Sequence, residues 1–506
     1  MDNHSLFDEK SSYEEILKHY SQFDIAYRCI SSETKTCLIL NNNKENISKN
    51  ISKNISSIFD DIYSVEVDKK SFLLPFKNEF FDLIIFSGLD LKDEIEIEKC
   101  FQDIKRVMKP SGCFCVSTRN SSGLNILNRK NLESTKKFYS NNYNGYIRIF
   151  NKSGFIIKPY WIIGNSCRPY FIGSIENVSV FRWLFSNIDK FLLVNPKSKI
   201  IIWILKKIKF SFTKKFIKMF SPSFLFYCYK EVIPNQFEIM VKEKTGFTNM
   251  LQQIRFTKNI FILFDKNGNP KKRLLCRRKK IDSSDEIIFV NGPPKNGILK
   301  NKMVLVDWVE GKKANFNNLG ELKLIFQWLF DFQSGTNGPN FDENTIKHEI
   351  NEIKDNLADK NYLEKTEIEK WLLDYSNHSG KINTKTTGVH GDFAPHNILI
   401  KTNELSLNVI DWDRFFENGS PFYDIAQVVY HVLTPNSCVD EFITNVRSME
   451  ENSAIQIIDN LLSEHFQNKI NLITILRYYF LKDLALNDEL NKQYFISLLK
   501  ELSKID

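Results

Sequence analysis

The chain has 506 residues, 42% of them hydrophobic, with a formal net charge of +8 and nine cysteines. At roughly 100 to 200 residues per domain this length holds two or three domains, each able to bury a core, which excludes a small disulfide-stapled scaffold. The charge is modest for the length, no stretch spaces arginines and aromatics as a nucleic-acid module does, and the scattered cysteines predict a reduced, cytoplasmic protein without nucleic-acid partners.

The first residues, MDNHSLFDEKSSYEE, are acidic and polar and lack the basic start and apolar stretch of a secretory leader. From Thr36 to Ser117 the pattern alternates. "TCLILNN" reads as a buried strand, "NNNKENISKNISKNIS" as a polar helix with a short local repeat, and "IYSVEVD" and "FDLIIFSGL" as strands. "EIEKCFQDIKRVM" reads as an amphipathic helix and "GCFCVST" as a further strand, with Cys113 and Cys115 on one face. Strands alternating with helices predict a parallel α/β sheet.

Within that block, "LLPFKNEFFDLIIFSGLDL" and "FQDIKRVMKPSGCFCVSTRN" supply Leu74, Pro75, Phe76, Phe81, Asp82, Arg106, Val107, Met108, Lys109, Pro110, Ser111 and Gly112. This segment resembles the second half of class I S-adenosylmethionine-dependent methyltransferases, of the methyltransferase type 11 kind, and the resemblance implies a Rossmann-like fold. That family has a glycine-rich turn after the first strand, where backbone approaches the cofactor. Here the turn is Asn41-Asn42-Asn43, with Glu66 or Asp68 as the nearest ribose-binding acid. The domain therefore reads as a degenerate methyltransferase fold kept as a scaffold or recognition domain, and S-adenosylmethionine binding is the alternative.

Phe181 to Lys230 mixes aromatic and aliphatic residues with lysines and has almost no acid. The plain expectation is a set of interdomain helices with buried apolar faces and solvated lysines; the competing one is an amphipathic surface lying peripherally on anionic lipid. Runs such as Ile200–Leu205 fall far below the ~18 apolar residues needed to span a bilayer.

Further on, "NIFILFDKNGNPKKRLLCRRKK" predicts a hairpin turning at Asn267-Gly268-Asn269-Pro270, and "KMVLVDWVEGKKANF" a strand and hinge around Asp307 to Val309. Leu319–Thr336 reads as a helix set against a helical lobe. Asn340–Ser376 and Val439–Leu502 are also helical in pattern, with Glu349 and Glu352 on what reads as a solvated face.

"TTGVHGDFAPHNILIKTNELSLNVIDWDRF" predicts a strand ending in a loop, two short strands, and a second loop opening on acids. Phosphoryl transfer needs a carboxylate to orient an attacking hydroxyl and accept its proton, and hard oxygen ligands for Mg²⁺. Asp392 suits the first task, and Asn397 and Asp411 the second. His-Gly-Asp, then Asn after four residues, then Ile-Asp-Trp-Asp and Pro-x-Tyr-Asp-Ile-Ala, resembles the aminoglycoside phosphotransferase and choline kinase family, which has a protein-kinase-like fold. The resemblance implies Asp392 as catalytic base, Asn397 and Asp411 as magnesium ligands with Asp413 assisting, and Asp424 bracing the catalytic loop. His390 reads as structural. The upstream hairpin then resembles a small nucleotide-binding lobe, with Asp307 and Val309 at the adenine. Its phosphate-binding lysine would be replaced by one of Arg277, Arg278, Lys279 or Lys280.

The expected layout is a methyltransferase-like domain (1–165), a basic apolar helical connector (166–235), a kinase-like small lobe and hinge (236–335) and a large lobe carrying the catalytic loop (336–506). The fold class is α/β followed by α+β. The expected activity is ATP- and Mg²⁺-dependent phosphorylation of a hydroxyl on a small molecule such as a sugar, an aminoglycoside-like compound or an amino alcohol. Two alternatives are a methyltransferase with a kinase-like recognition domain and a non-catalytic scaffold or membrane-surface assembly protein.

Overall fold

The computed structural model describes residues 36–41, 59–66, 73–87, 94–123, 141–164, 169–191, 214–232, 236–254, 258–277, 287–289, 303–358, 364–401, 406–435, 438–486 and 492–505. The polar helix expected within 41–56 lies outside them apart from Asn41, as do Asn42 and Asn43. The chain divides into two compact units, residues 1–289 with 301–308, and residues 290–300 with 309–506.

The first unit is built on β1 (Thr36–Asn41), β2 (Asp61–Glu66), β3 (Phe81–Ser87) and β4 (Met108–Arg119), all parallel in the order β2-β1-β3-β4, with α1 (Glu94–Val107) connecting β3 to β4. The near-continuous apolar runs of β1, β3 and β4 are buried on both faces, as inner strands of a parallel sheet require, while β2 at the edge is partly exposed. Leu38, Leu40, Ile84, Phe86, Phe114 and Val116 pack with Phe101 and Ile104 of α1. Cys37, Ile39, Leu83, Ile85, Cys113 and Cys115 form the core of the opposite face. This is the Rossmann-like α/β fold expected.

The unit continues through α2 (Tyr143–Lys152), β5 (Ile156–Gly164), β6 (Pro169–Ser174), α3 (Val178–Phe191), α4 (Lys214–Phe220) and β7 (Ser223–Tyr229). Helices alone were expected across Phe181 to Lys230, yet Ser223–Tyr229 is a strand, inserted antiparallel between β4 and β5. All seven of its residues are buried. A short run buried on both faces shows no two-residue period, so its sequence does not separate strand from helix. In α3, Phe181, Leu184, Phe185 and Ile188 enter the core at helical spacing; in α4, Phe216 and Ile217 do so while Lys214 and Lys215 stay exposed. Residues 192–213 of this stretch lie outside the described ones. No helix among the described residues is long and apolar enough to cross a membrane.

After α5 (Gln236–Thr245) come β8 (Asn249–Ile254), β9 (Lys258–Phe264), β10 (Pro270–Arg277), β11 (Ile287–Phe289) and β12 (Met303–Asp307). The hairpin between β9 and β10 turns where expected. Asp265 accepts backbone N–H bonds from Asn267 (2.9 Å) and Asn269 (2.8 Å), and Gly268 takes φ +83°. β8 pairs antiparallel with β6 from Phe171↔Gln253 to Gly173↔Leu251, so these strands extend the same sheet to twelve.

The second unit is α+β and mostly helical. It contains β13 (Lys312–Lys313), α6 (Leu319–Gly335), α7 (Glu343–Ala358), α8 (Lys365–Ser379), β14 (Thr387–Val389), β15 (Ile398–Lys401), β16 (Ser406–Val409) and β17 (Phe416–Gly419). It closes with α9 (Phe422–Leu433), α10 (Val439–Arg447), α11 (Ser453–Phe466), α12 (Leu472–Leu486) and α13 (Lys492–Leu502). Asn318 caps α6 by accepting from the N–H groups of Gly320 and Glu321, both at 3.1 Å. The strands form two small sheets, β13-β15-β16 and β14-β17, set on a core whose central members are Phe326, Trp371, Ile425, Val429, Ile475 and Phe480.

Candidate active site

β14 leads into His390, and at Gly391 the chain turns with φ +78°, a left-handed conformation that glycine adopts without penalty. A Cβ at this position would meet the Arg414 carbonyl oxygen at 2.4 Å. Behind the turn lies the first turn of α9. The Asp424 carboxylate accepts the backbone N–H of His390 (2.7 Å) and of Gly391 (3.0 Å). One helical step further on, Gln427 accepts from Phe393 N (2.6 Å) and donates to Gly391 O (3.1 Å). Asp424 and Gln427 thus hold the loop by its backbone. Burial pushes the Asp424 carboxyl up to about 7, opposed by the two N–H bonds and the Lys482 charge.

His390 is fully buried. Its Nδ1 accepts from Asp392 N (3.2 Å) and its Nε2 lies 3.1 Å from the Ile410 carbonyl oxygen. These partners assign a neutral ring protonated on Nε2, and burial pushes its pKa down to about 4. The ring pins the loop to the end of β16.

Asp392 reaches partly into solvent. Asn397, buried on the short 3₁₀ turn Pro395–Asn397, donates from Nδ2 to Asp392 Oδ2 and to Asp392 O, both at 2.9 Å. β15 and β16 are antiparallel with Ile398 opposite Val409, and Ile410 N donates to Asn397 O at 2.9 Å. The hairpin therefore returns the chain so that Asp411 emerges beside Asn397. Asp411 itself has left-handed backbone, φ 69° and ψ 58°. Asp413 lies in the following 3₁₀ turn, Trp412–Arg414, and its side chain falls outside the described residues.

Asp392, Asn397, Asp411, Asp424 and His390 are thus gathered in one place by β14, the hairpin and α9. The residues assigned to the nucleotide are distributed differently. Arg277 ends β10 in the first unit, with its side chain outside the described residues, and Arg278, Lys279 and Lys280 lie wholly outside them. Asp307 ends β12, exposed and paired with Lys272 at 2.5 Å, while Val309 belongs to the second unit.

Sequence reasoning missed Gln427, although it lies three residues after Asp424 on the same helix and so shares its face. It also placed Glu349 on a solvated face. Glu352 is exposed, but Glu349 is buried; it forms an ion pair with the buried Lys482 and accepts from Tyr478 Oη at 2.7 Å. The neighbouring Asp483 accepts from Tyr423 Oη (3.2 Å) and lies 3.5 Å from Arg414.

The donor set suits a hard divalent cation. Asn397 uses its amide nitrogen on Asp392, so its carboxamide oxygen, with the Asp411 carboxylate, could serve as a metal donor. No group of three or more His, Cys, Asp and Glu side chains that could hold a metal occurs among the described residues. The arrangement places a carboxylate able to receive a proton beside oxygen donors able to hold a phosphate-bound cation.

Residues 323–445 match the model of the phosphotransferase enzyme family, a span that contains the loop, the hairpin and the start of α9. That match lies within the second unit, and the first unit is an α/β fold on a mixed sheet. Among solved structures it is similar to an S-adenosylmethionine-dependent methyltransferase from Archaeoglobus fulgidus, at 14% identity over 45% of this chain and 99% of that one, TM-score 0.28. Another, from Thermotoga maritima, is 11% identical over 44% and 96%, TM-score 0.25. A Ralstonia eutropha protein provisionally described as an aminoglycoside phosphotransferase is 11% identical over 53% and 97%, TM-score 0.36. No curated protein sequence matches the chain.

Proposed function

We propose that the chain is a cytoplasmic phosphotransferase that moves the γ-phosphoryl group of ATP, with Mg²⁺, to a hydroxyl of a small molecule such as a sugar, an aminoglycoside-like compound or an amino alcohol. The observation that carries this reading is the bond from Asn397 to Asp392 at 2.9 Å, at the mouth of a hairpin whose other strand runs into Asp411. The phosphotransferase-family match over 323–445 supports the same chemistry.

Asp392 orients the acceptor hydroxyl and receives its proton as the new O–P bond forms and ADP departs. Asn397 and Asp411, with Asp413, would hold the magnesium ion, which when bound screens the phosphate charge. His390, Asp424 and Gln427 keep the loop at the spacing this needs. Arg277 or Lys279 remains the candidate in the sequence for the phosphates, and Asp307 to Val309 the candidate for adenine.

The test is ADP release from ATP and Mg²⁺ across a panel of hydroxyl compounds, comparing the native chain with Asp392→Asn. General-base contributions of ~10²- to 10⁴-fold lead us to expect at least a hundredfold loss of turnover in the variant, with its fold retained. Turnover within a few fold of native would remove Asp392 from this role.

A further inference from the structure

The two acids central to the proposed chemistry sit on separate loops, and each has an aromatic residue as its next neighbour, Phe393 after Asp392 and Trp412 after Asp411. One side chain outside both loops touches both of these rings. The half-buried Trp328 of α6 stacks on Phe393 with ring centroids 5.6 Å apart and planes at 15°, and its centroid is 6.3 Å from that of Trp412 at 45°. Phe332, one helical turn on, stacks on Trp328 (5.1 Å, 10°) and meets Trp412 at 5.4 Å. Trp412 is fixed further by the His390 ring at 4.6 Å and by its Nε1–H, which donates to Val409 O at 3.2 Å.

We infer that Trp328 is a positioning residue that sets the separation between Asp392 and Asp411 by packing a rigid indole against the neighbour of each. Two physical arguments support it. Catalytic groups must be held within about 0.5 Å of their working positions, and a planar side chain on a regular helix gives a stiffer spacer than a loop contact does. Asp411 also sits in left-handed backbone, which is unfavourable for a residue with a Cβ and is held here by its surroundings. The stack Phe332–Trp328–Phe393, closed by Trp412, supplies that constraint from α6, whose first turn is itself capped by Asn318. Only the assignment of a phosphoryl-transfer purpose to this spacing rests on the phosphotransferase reading; the spacing itself does not.

The experiment compares the full chain with Trp328→Phe, which keeps a planar ring, and Trp328→Leu, which keeps apolar bulk without one. Hydrogen–deuterium exchange is followed in peptides covering 388–398 and 408–415, and Mn²⁺ binding in the presence of ATP is measured by electron paramagnetic resonance. Trp328→Leu should speed exchange in both loops and weaken Mn²⁺ binding about tenfold, since misplacement by ~1 Å costs up to about a hundredfold in a positioned site. Trp328→Phe should restore both to near the native values. Unchanged exchange in the two loops, or faster exchange spread evenly over α9 to α13, would overturn the inference and leave the phosphotransferase reading intact. Failure of the native chain to bind Mn²⁺ with ATP would overturn that reading, while the exchange result would still decide what Trp328 holds.

Discussion

Single residues in the loop carry conditions that can be broken one at a time. Gly391 combines φ +78° with the Arg414 carbonyl oxygen 2.4 Å from where a Cβ would sit, so alanine meets both backbone strain and a clash with main chain. Gly391→Ala should lower stability by about 2 kcal/mol or more in urea unfolding, and a change under ~0.5 kcal/mol would mean that the turn relaxes freely. Protonation is the second condition. Burial pushes His390 and His431 down to about 4 and also lowers His378 and His465, whereas it pushes Asp424 up to about 7. As pH falls from about 6.5 to about 4, the unfolded chain protonates these histidines before the folded one does, which removes stability. Between about 7 and about 4 the folded chain instead takes up a proton at Asp424 while the unfolded carboxyl stays ionised, which adds stability. The histidines outnumber the aspartate, so the unfolding midpoint should drop across this window. A flat or rising midpoint would show that Asp424 outweighs them.

Elements that repeat with a clear period, or that turn on marked residues, were legible in the sequence; those whose meaning depends on distant partners were not. β1, β3, the β9–β10 hairpin and α6 follow from apolar runs, Asn-Gly turn chemistry and helical spacing. The loop from His390 to Asn397 and the strand into Asp411 were legible because chemistry-bearing residue types stood between short apolar strands. β7 was not, because all its residues are buried and no polar alternation marks it. Nor was the role of α7 against α12, because Glu349 and Lys482 are 133 residues apart and the charge pattern of α7 looks solvated. This pair is a testable joint between elements. A buried charge left without its partner costs roughly 3–5 kcal/mol, so Glu349→Ala should destabilise by about 3 kcal/mol in urea unfolding. Replacing both residues with methionine should recover most of that loss, and a double variant as unstable as the single one would show that the ion pair is not what α7 contributes.

At the scale of the whole molecule, the described residues of the first unit form a twelve-stranded sheet in which the strands assigned to nucleotide binding continue those of the Rossmann-like fold through the β6–β8 ladder. The second unit carries the residues on which the proposed chemistry depends. The central claim is therefore that the chain binds ATP through a metal. Its most direct test is thermal unfolding of the full chain with ATP and Mg²⁺, with ATP and a chelator, and with S-adenosylmethionine. A ligand that binds only the folded state at a hundred times its Kd stabilises by about 2.7 kcal/mol, which raises the midpoint measurably. A rise that needs both ATP and Mg²⁺ is the predicted result; no rise with that pair, or a rise with S-adenosylmethionine alone, would contradict the account.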